Sequence, residues 1–205
     1  MGYAVERSYC NAENEVLMFM KFLPKVKRQQ PGITTRTRRA RTVRIRHIQP
    51  ADAQLLLDLF GRISANTYYS RFMRPPAEQT ASQRWPELVR LASVDAHTQV
   101  TLIATADEHG RPVAVGLAQL VRDQADPAAA ELALLIRDDY QGEGVGSTLL
   151  DLLAQAAMVR GIRRLFANTL AENVAMRRIA RQLGLPIDSQ TSHGETTITI
   201  SVLDS

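Results

Sequence analysis

The stretch from Glu131 to Gly146 reads ELALLIRDDYQGEGVG, and more than any other part of the chain it limits what the chain can fold into. A buried strand, Ala130–Arg137, runs into a loop with glycine at 142, 144 and 146. The loop opens an amphipathic helix that carries Leu149, Leu150, Leu153 and Ala157 on one side and runs to Arg160. Glycines there let the backbone come close to a ligand, and the first N–H groups of the helix point outward without intrahelical partners. With the helix dipole they make an anion site suited to phosphate.

The next question is which phosphate. A dinucleotide fingerprint GxGxxG fails, because its third glycine would fall on Ser147 counted from Gly142, or on Leu149 counted from Gly144. A nucleoside-triphosphate loop needs a lysine, and the three lysines of the chain, Lys21, Lys25 and Lys27, all lie near its start. The same distribution excludes a Schiff-base or kinase-type lysine in the body. His47, His97, His109 and His193 have no metal-ligand spacing, and there is neither an HExxH pattern nor a GxSxG elbow. No metal is therefore expected, and metallo- and serine hydrolases drop out.

Periodicity places the remaining elements. Thr42–Ile48 alternates as a strand. Pro50 opens a helix through Asp52–Phe60 with Leu55, Leu56, Leu59 and Phe60 on one face. Ser64 or Asn66 can cap a short helix holding Tyr68, Tyr69 and Phe72, which Pro75-Pro76 ends. Trp85, Leu88, Val89 and Leu91 suggest another helix. Val100–Ala106 and Pro112–Val121 read as a hairpin around a Gly-containing turn. Arg164–Thr169 reads as a strand, Glu172–Leu183 as a helix stopped by Gly184 and Pro186, and Thr196–Val202 as the last strand. The sum is one mixed α/β domain over residues 41–205, built on a central sheet.

Residues 1–40 read as a basic, partly flexible arm with a short helix over Glu13–Phe22. Residues 1–46 hold eleven Lys or Arg against three Glu, whereas residues 47–205 hold fourteen Arg against eighteen acids. A basic arm suits a polyanion, but no aromatic is interleaved with its arginines, so nucleic acid is not the expected partner. No apolar run approaches the ~18 residues of a membrane span. Glu6, Glu13 and Glu15 ahead of Val16–Met20 argue against a signal peptide. One cysteine, Cys10, leaves no intrachain disulfide. The expectation is a soluble, cytoplasmic protein.

The pattern Q-x-x-G-x-G between strand and helix resembles the acetyl-CoA loop of the GNAT superfamily of N-acetyltransferases, with matching element order over roughly residues 42–203. The front half, Arg44-Ile-Arg46…Tyr68-Tyr-Ser-Arg71-Phe72, and the strand Ala130-Glu131-Leu132-Ala133 are similar to the acetyltransferase domain of bacterial Pat-type protein lysine acetyltransferases. The resemblance implies a mixed, mostly antiparallel twisted sheet flanked by helices, with two splayed strands forming the acetyl-CoA cleft. It implies that Gln141, Gly142, Glu143, Gly144, Val145, Gly146 and Ser147 hold the pyrophosphate, chiefly through backbone amides. Leu135 and Ile136 would pair with the pantetheine arm. Asn173, in Glu172-Asn173-Val174-Ala175-Met176, would contact pantetheine or, on its own chemistry, cap the last helix. The synthetase-like or cyclic-nucleotide-binding modules of larger Pat-type members have no counterpart in this sequence.

Glu131 matches the residue taken as general base in that group, and elementary chemistry explains the need for one. A lysine amine of pKa ~10.4 is only about 0.04% neutral at pH 7, and only the neutral amine attacks a thioester. Glu131 also interrupts the apolar register of its strand; the alternative is a carboxylate paired with an arginine such as Arg122. Many members carry a tyrosine acid where this chain has Ala180, so the thiolate leaves unaided or through another group, for which Tyr68, Tyr69 and Tyr140 are candidates. Cys10 lies in the arm, which favours direct attack over an acyl-enzyme. The expected acceptor is a protein lysine ε-amine. The alternatives are a small amine, drawn by acids such as Glu78 and Glu87, and an acetyl-CoA sensor without turnover. Members of the fold often pair through sheet edges, so a homodimer is a further expectation.

Overall fold

The computed structural model describes residues 32–76, 79–95 and 98–202. The helix expected over residues 13–22, Cys10, Glu78 and His97 lie outside the described residues. The strands are β1 (Ile33–Arg36), β2 (Thr42–His47), β3 (Gln99–Glu108), β4 (Arg111–Arg122), β5 (Ala129–Ile136), β6 (Arg164–Leu170), β7 (Ile187–Ser192) and β8 (Glu195–Ser201). The helices are α1 (Ala53–Arg62), α2 (Ala65–Phe72), α3 (Ala81–Ala92), α4 (Val145–Val159) and α5 (Val174–Gln182). The strands form one sheet in the order β1-β2-β3-β4-β5-β6-β8-β7. All neighbours are antiparallel except β5 and β6.

Two of these strands were not expected. β1 falls within what reads as the basic arm, yet it pairs with β2 from Ile33↔Ile45 to Arg36↔Thr42. β7, with sequence IDSQTS, carries one apolar residue and is exposed along nearly its whole length. It forms an outer edge of the sheet, where no burial imposes an alternating pattern. Turn chemistry, in contrast, reads directly. His109-Gly110 and His193-Gly194 all have positive φ, the conformation that two-residue hairpin turns require.

A core lies on each face of the sheet. On one face, Leu56, Leu59 and Phe60 of α1, Tyr68 of α2 and Leu88 of α3 pack on Ile103, Leu117 and Leu135. On the other, Leu149, Leu150 and Leu153 of α4 with Met176 and Ala180 of α5 pack on Val115, Leu132 and Leu165. Each fully buried aliphatic side chain of this kind contributes ~1.5–3 kcal/mol.

The feature that positions the site is a fork in the sheet. β5 pairs with β4 along its length, from Arg122↔Ala130 to Gly116↔Ile136. It pairs with β6 only at Ala129↔Arg164, Ala130↔Leu165 and Glu131↔Phe166. Beyond Glu131 the two strands diverge, while β6 stays paired with β8 to Leu170↔Glu195.

Candidate active site

At the open end of the fork, β5 passes into a short 3-10 turn, Asp138–Tyr140, and then the glycine loop. Gly142 and Gly144 have φ of +72° and +97°, a left-handed backbone that other residues adopt only with strain. Gly144 stands at the N-cap of α4, and no side chain caps that helix. The first-turn N–H groups of Val145, Gly146 and Ser147 therefore have neither intrahelical nor side-chain partners, as an anion site of this kind needs.

The inner edge of β5 is a second polar surface. The Arg137 N–H donates to the Val115 carbonyl at 3.0 Å. Antiparallel ladders alternate, so Ile136 and Leu134 turn their N–H and C=O groups away from β4, toward the side where β6 has diverged. The Ile136 carbonyl accepts from Gln141 Nε2 at 3.0 Å. Leu135, expected on this edge, has its backbone turned toward β4 and its side chain 2% exposed in the core under α1–α3. The edge belongs to Leu134 and Ile136.

Glu131 occupies the last rung that β5 shares with β6. It is exposed and makes no hydrogen bond or ion pair among the described residues. Arg122, its suspected partner, donates to the carbonyls of Pro127 and Arg160 instead. The cation that acts on Glu131 is Arg71 of α2, whose Nη2 donates to Gln119 Oε1 at 2.7 Å. Gln119 faces Ala133, two residue pairs along from Val121↔Glu131 and on the same face of the sheet. Burial holds the Arg71 guanidinium below its ordinary pKa, and the Glu131 carboxylate is the opposing influence.

The loop is held from behind by an ionic cluster. Arg41, in the β1–β2 connection, lays its guanidinium 3.4 Å from the centre of the Tyr140 ring. It forks onto Glu143, with Nε to Oε2 at 3.2 Å and Nη2 on Oε1, and also donates from Nη2 to the Asp139 carbonyl. Arg39 reaches the same carboxylate at 3.4 Å, Arg38 Nη1 donates to the Gly142 carbonyl at 3.0 Å, and Arg38 N–H donates to the Glu143 carbonyl at 3.0 Å. Burial pushes the Glu143 carboxyl up, but the hydrogen bond and charge of Arg41 outweigh it and hold it below the usual carboxylate range. Asp139 is held down chiefly by its hydrogen bond from Arg137, at 2.7 Å from Nε to Oδ1. Arg137 also pairs with Glu108, which joins Arg62 and, through it, Asp58. An unbroken line of ion pairs thus runs from α1 to the glycine loop and the β1–β2 connection.

Other loop side chains tie the loop to its neighbours. Gln141 Nε2 donates to Thr67 Oγ1 at 3.0 Å, and Asp138 accepts from Ser64 and Thr67, so the loop is fastened to the start of α2. Burial raises the Asp138 carboxyl, while the Ser64 and Thr67 hydrogen bonds bring it below its ordinary value. Ser147 Oγ donates to Gln182 Oε1 at 2.6 Å, joining α4 to α5. Asn173 Oδ1 accepts from the Met176 N–H at 3.1 Å and caps α5, and its Nδ2 donates to Thr169 Oγ1 at 2.8 Å. Tyr68 and Tyr140 are buried as packing rings, and Ala180 is fully enclosed. Glu87 pairs with Arg74 at 3.8 Å.

The structure brings the loop, the strand before it and Glu131 together at the fork. Arg41, Arg71, Arg137 and Asp138 were not expected beside them. Arg137, Asp138 and Asp139 sit beside the glycines as a charged triplet, which was the available signal. Nothing local links Arg41 to a carboxylate about a hundred residues away. Among the described residues no group of three His, Cys, Asp or Glu gathers as metal ligands.

Residues 42–186 match the family model of the acetyltransferase (GNAT) domain, and the chain belongs to that family. It is 32% identical over 142 residues to an acetyltransferase Pat of Mycolicibacterium smegmatis, an alignment covering 68% of this chain and 40% of the relative. An acetyltransferase of Pseudomonas aeruginosa is 28% identical over 144 residues, covering 70% of this chain and 75% of that protein. The GNAT domain of a PAT from S. lividans superposes with a TM-score of 0.71 at 26% identity, covering 84% of this chain and 99% of that one. The chain therefore spans less than half the length of its mycobacterial relative, and the sheet with its flanking helices is the GNAT fold.

Proposed function

We propose that this chain is an acetyl-CoA-dependent N-acetyltransferase acting on an amine, with a protein lysine ε-amine as acceptor. The observation that carries the reading is the fork. One strand edge offers the N–H and C=O groups of Leu134 and Ile136, the uncapped start of α4 lies at its open end, and Glu131 stands where the strands part. A pyrophosphate takes the N–H groups of Val145, Gly146 and Ser147. The pantetheine arm lies along β5 as an extra strand would, and the five residue steps from Ile136 back to Glu131 span roughly 17 Å. That places the thioester at the fork, next to the free carboxylate of Glu131.

The chemistry then runs in one complex. Glu131, directly or through one water, takes a proton from the ammonium of the acceptor. The neutral amine attacks the thioester carbonyl, a C–N bond forms, the C–S bond breaks with its electron pair leaving on sulfur, and the surplus proton on the nitrogen passes to the thiolate, directly or through water. A thiol of pKa near 8.5 is a competent leaving group without a tyrosine acid, which suits Ala180 at the position where many family members carry one. Asn173, whose Nδ2 retains a second hydrogen, is placed to steady the pantetheine amide while capping α5.

The acceptor class rests on the similarity to the Pat proteins. The test is incubation of a mixed protein extract with acetyl-CoA and the purified chain, read by mass spectrometry of acetyl-lysine, with Glu131→Gln as control. Lysine acetylation that needs both acetyl-CoA and Glu131 supports the reading. Release of free thiol with polyamines or aminoglycosides, and none with proteins, would replace the acceptor by a small amine.

A further inference from the structure

Arg71, in the last turn of α2, is a partly buried cation that the structure does not neutralise at close range. Among the described residues no carboxylate lies within ion-pair distance of it. Its hydrogen bond goes to a neutral group, from Nη2 to Gln119 Oε1 at 2.7 Å. Charges removed from water are ordinarily paired, as those of Arg41 and Arg137 are. The carboxylate that acts on Arg71, from beyond contact, is Glu131.

Both Arg71 and Gln119 stand on rigid ground. The Tyr68 and Phe72 rings lie 4.6 Å apart and pack with Phe60, which seats the end of α2. The guanidinium carbon of Arg71 is 4.9 Å from the centre of the Phe72 ring. Gln119 is the one polar side chain in the buried run of β4, residues 113–120. A buried amide is costly unless it is hydrogen-bonded. Its Oε1 is taken by Arg71, whereas its Nε2 has no partner among the described residues. Glu131 is its diagonal neighbour on the same face of the sheet, a spacing that long side chains can bridge. Directly opposite Gln119 is Ala133, whose methyl group leaves the amide room to reach along β5.

We propose that Arg71 and Gln119 are positioning residues for the base: Arg71 clamps Gln119 Oε1, and Gln119 Nε2 donates to the Glu131 carboxylate and holds it at the fork. This inference rests on the reading of Glu131 as general base given above. An exposed glutamate is free to change rotamer, and a misplacement of about 1 Å at a reacting group can cost about a hundredfold in rate. The Arg71 charge draws the carboxylate toward the α2 side of the fork, and the Gln119 amide sets its distance. Neither residue touches the reacting atoms.

The test is a double-mutant cycle in the full chain. Initial rates of thiol release are measured at saturating acetyl-CoA, with the mixed protein extract as acceptor, or a polyamine if only that reacts. The variants are Arg71→Met, Arg71→Lys, Gln119→Met and Glu131→Gln, with each of the first three also combined with Glu131→Gln. Folding is checked by circular dichroism and acetyl-CoA affinity by calorimetry. Arg71→Met and Gln119→Met are each expected to slow the reaction about tenfold or more, the loss of one hydrogen bond to a charged group, with acetyl-CoA affinity unchanged. Arg71→Lys recovers part of the rate, because it keeps the charge and a donor. In the Glu131→Gln background the same substitutions cause no further loss, which a merely structural role would not produce. Gln119→Met decides the matter if Arg71→Met does not fold. Equal losses in both backgrounds, or wild-type rates in the folded single variants, overturn the positioning roles and leave Glu131 as the base. A Glu131→Gln rate equal to wild type, or no thiol release by wild type with either acceptor, overturns both.

Discussion

Arg41 grips Glu143 from behind the glycine loop: its Nε and Nη2 fork onto both oxygens of a carboxylate that is only 4% exposed. Arg41 comes from the connection between the first two strands, and Glu143 sits between the two left-handed glycines. The loop that faces the ligand is thus shaped by glycines and held by an arginine about a hundred residues away.

Removing that grip leaves a buried carboxylate without its forked partner and with only the longer contact to Arg39. Arg41→Ala is expected to cost roughly 3 kcal/mol, a fall in Tm of roughly 6–12 °C for a chain of this size. The dissociation constant for acetyl-CoA should rise about tenfold, because the loop amides are no longer held in place. Arg41→Lys should recover only part of this, since one ammonium cannot reproduce the fork. Differential scanning calorimetry and a binding titration on the two variants check both effects.

Acid should release the same cluster. Glu143, Asp139 and Glu108 all have folded-state pKa values below their ordinary ones. The unfolded chain therefore binds more protons as pH falls, and stability rises with pH through the acidic range. A plot of Tm against pH should be flat above about pH 5 and fall below about pH 4.5. Glu143→Gln should lower the plateau and flatten the acid limb.

Gly144 tests the backbone side of the loop. Alanine there has open space around its Cβ, so any effect comes from φ of +97° and not from a clash. Gly144→Ala is expected to cost about 1–2 kcal/mol and to weaken acetyl-CoA binding. A Tm and an affinity equal to wild type would show that the loop tolerates a right-handed conformation at this residue.

If Glu131 takes the acceptor proton, Glu131→Gln should lower kcat by about 10²–10⁴-fold at pH 7, with coenzyme affinity unchanged. The deficit should narrow as pH approaches the amine pKa of ~10.4, where the acceptor is already neutral. A deficit independent of pH would assign Glu131 to positioning instead.

Much of this was legible in the sequence because the signals are local. The glycine loop, the helix it opens, the Gly-containing hairpin turn and the strand with a carboxylate in an apolar register all follow from short spacings. β1 and β7 were not legible, since edge strands carry no alternating burial: β7 offers only Ile187 and β1 only Ile33 as aliphatic anchors. The grip of Arg41 on Glu143 and the approach of Arg71 to Gln119 depend on how the sheet brings distant segments together, and periodicity carries no record of that. Of the two residues expected on the strand edge, Ile136 lies there and Leu135 does not, because the ladder's alternation decides which backbone groups face the fork.

The most direct measurement is a thermal-shift titration with acetyl-CoA on wild type and on Gly144→Glu, which sets a carboxylate into the anion site. At a hundredfold excess over the dissociation constant, a specific ligand stabilises the fold by about 2.7 kcal/mol, a rise of roughly 5–10 °C here. That rise is expected in wild type and none in Gly144→Glu. No rise in wild type, or an equal rise in both proteins, would contradict the assignment of the glycine loop and the fork as the acetyl-CoA site.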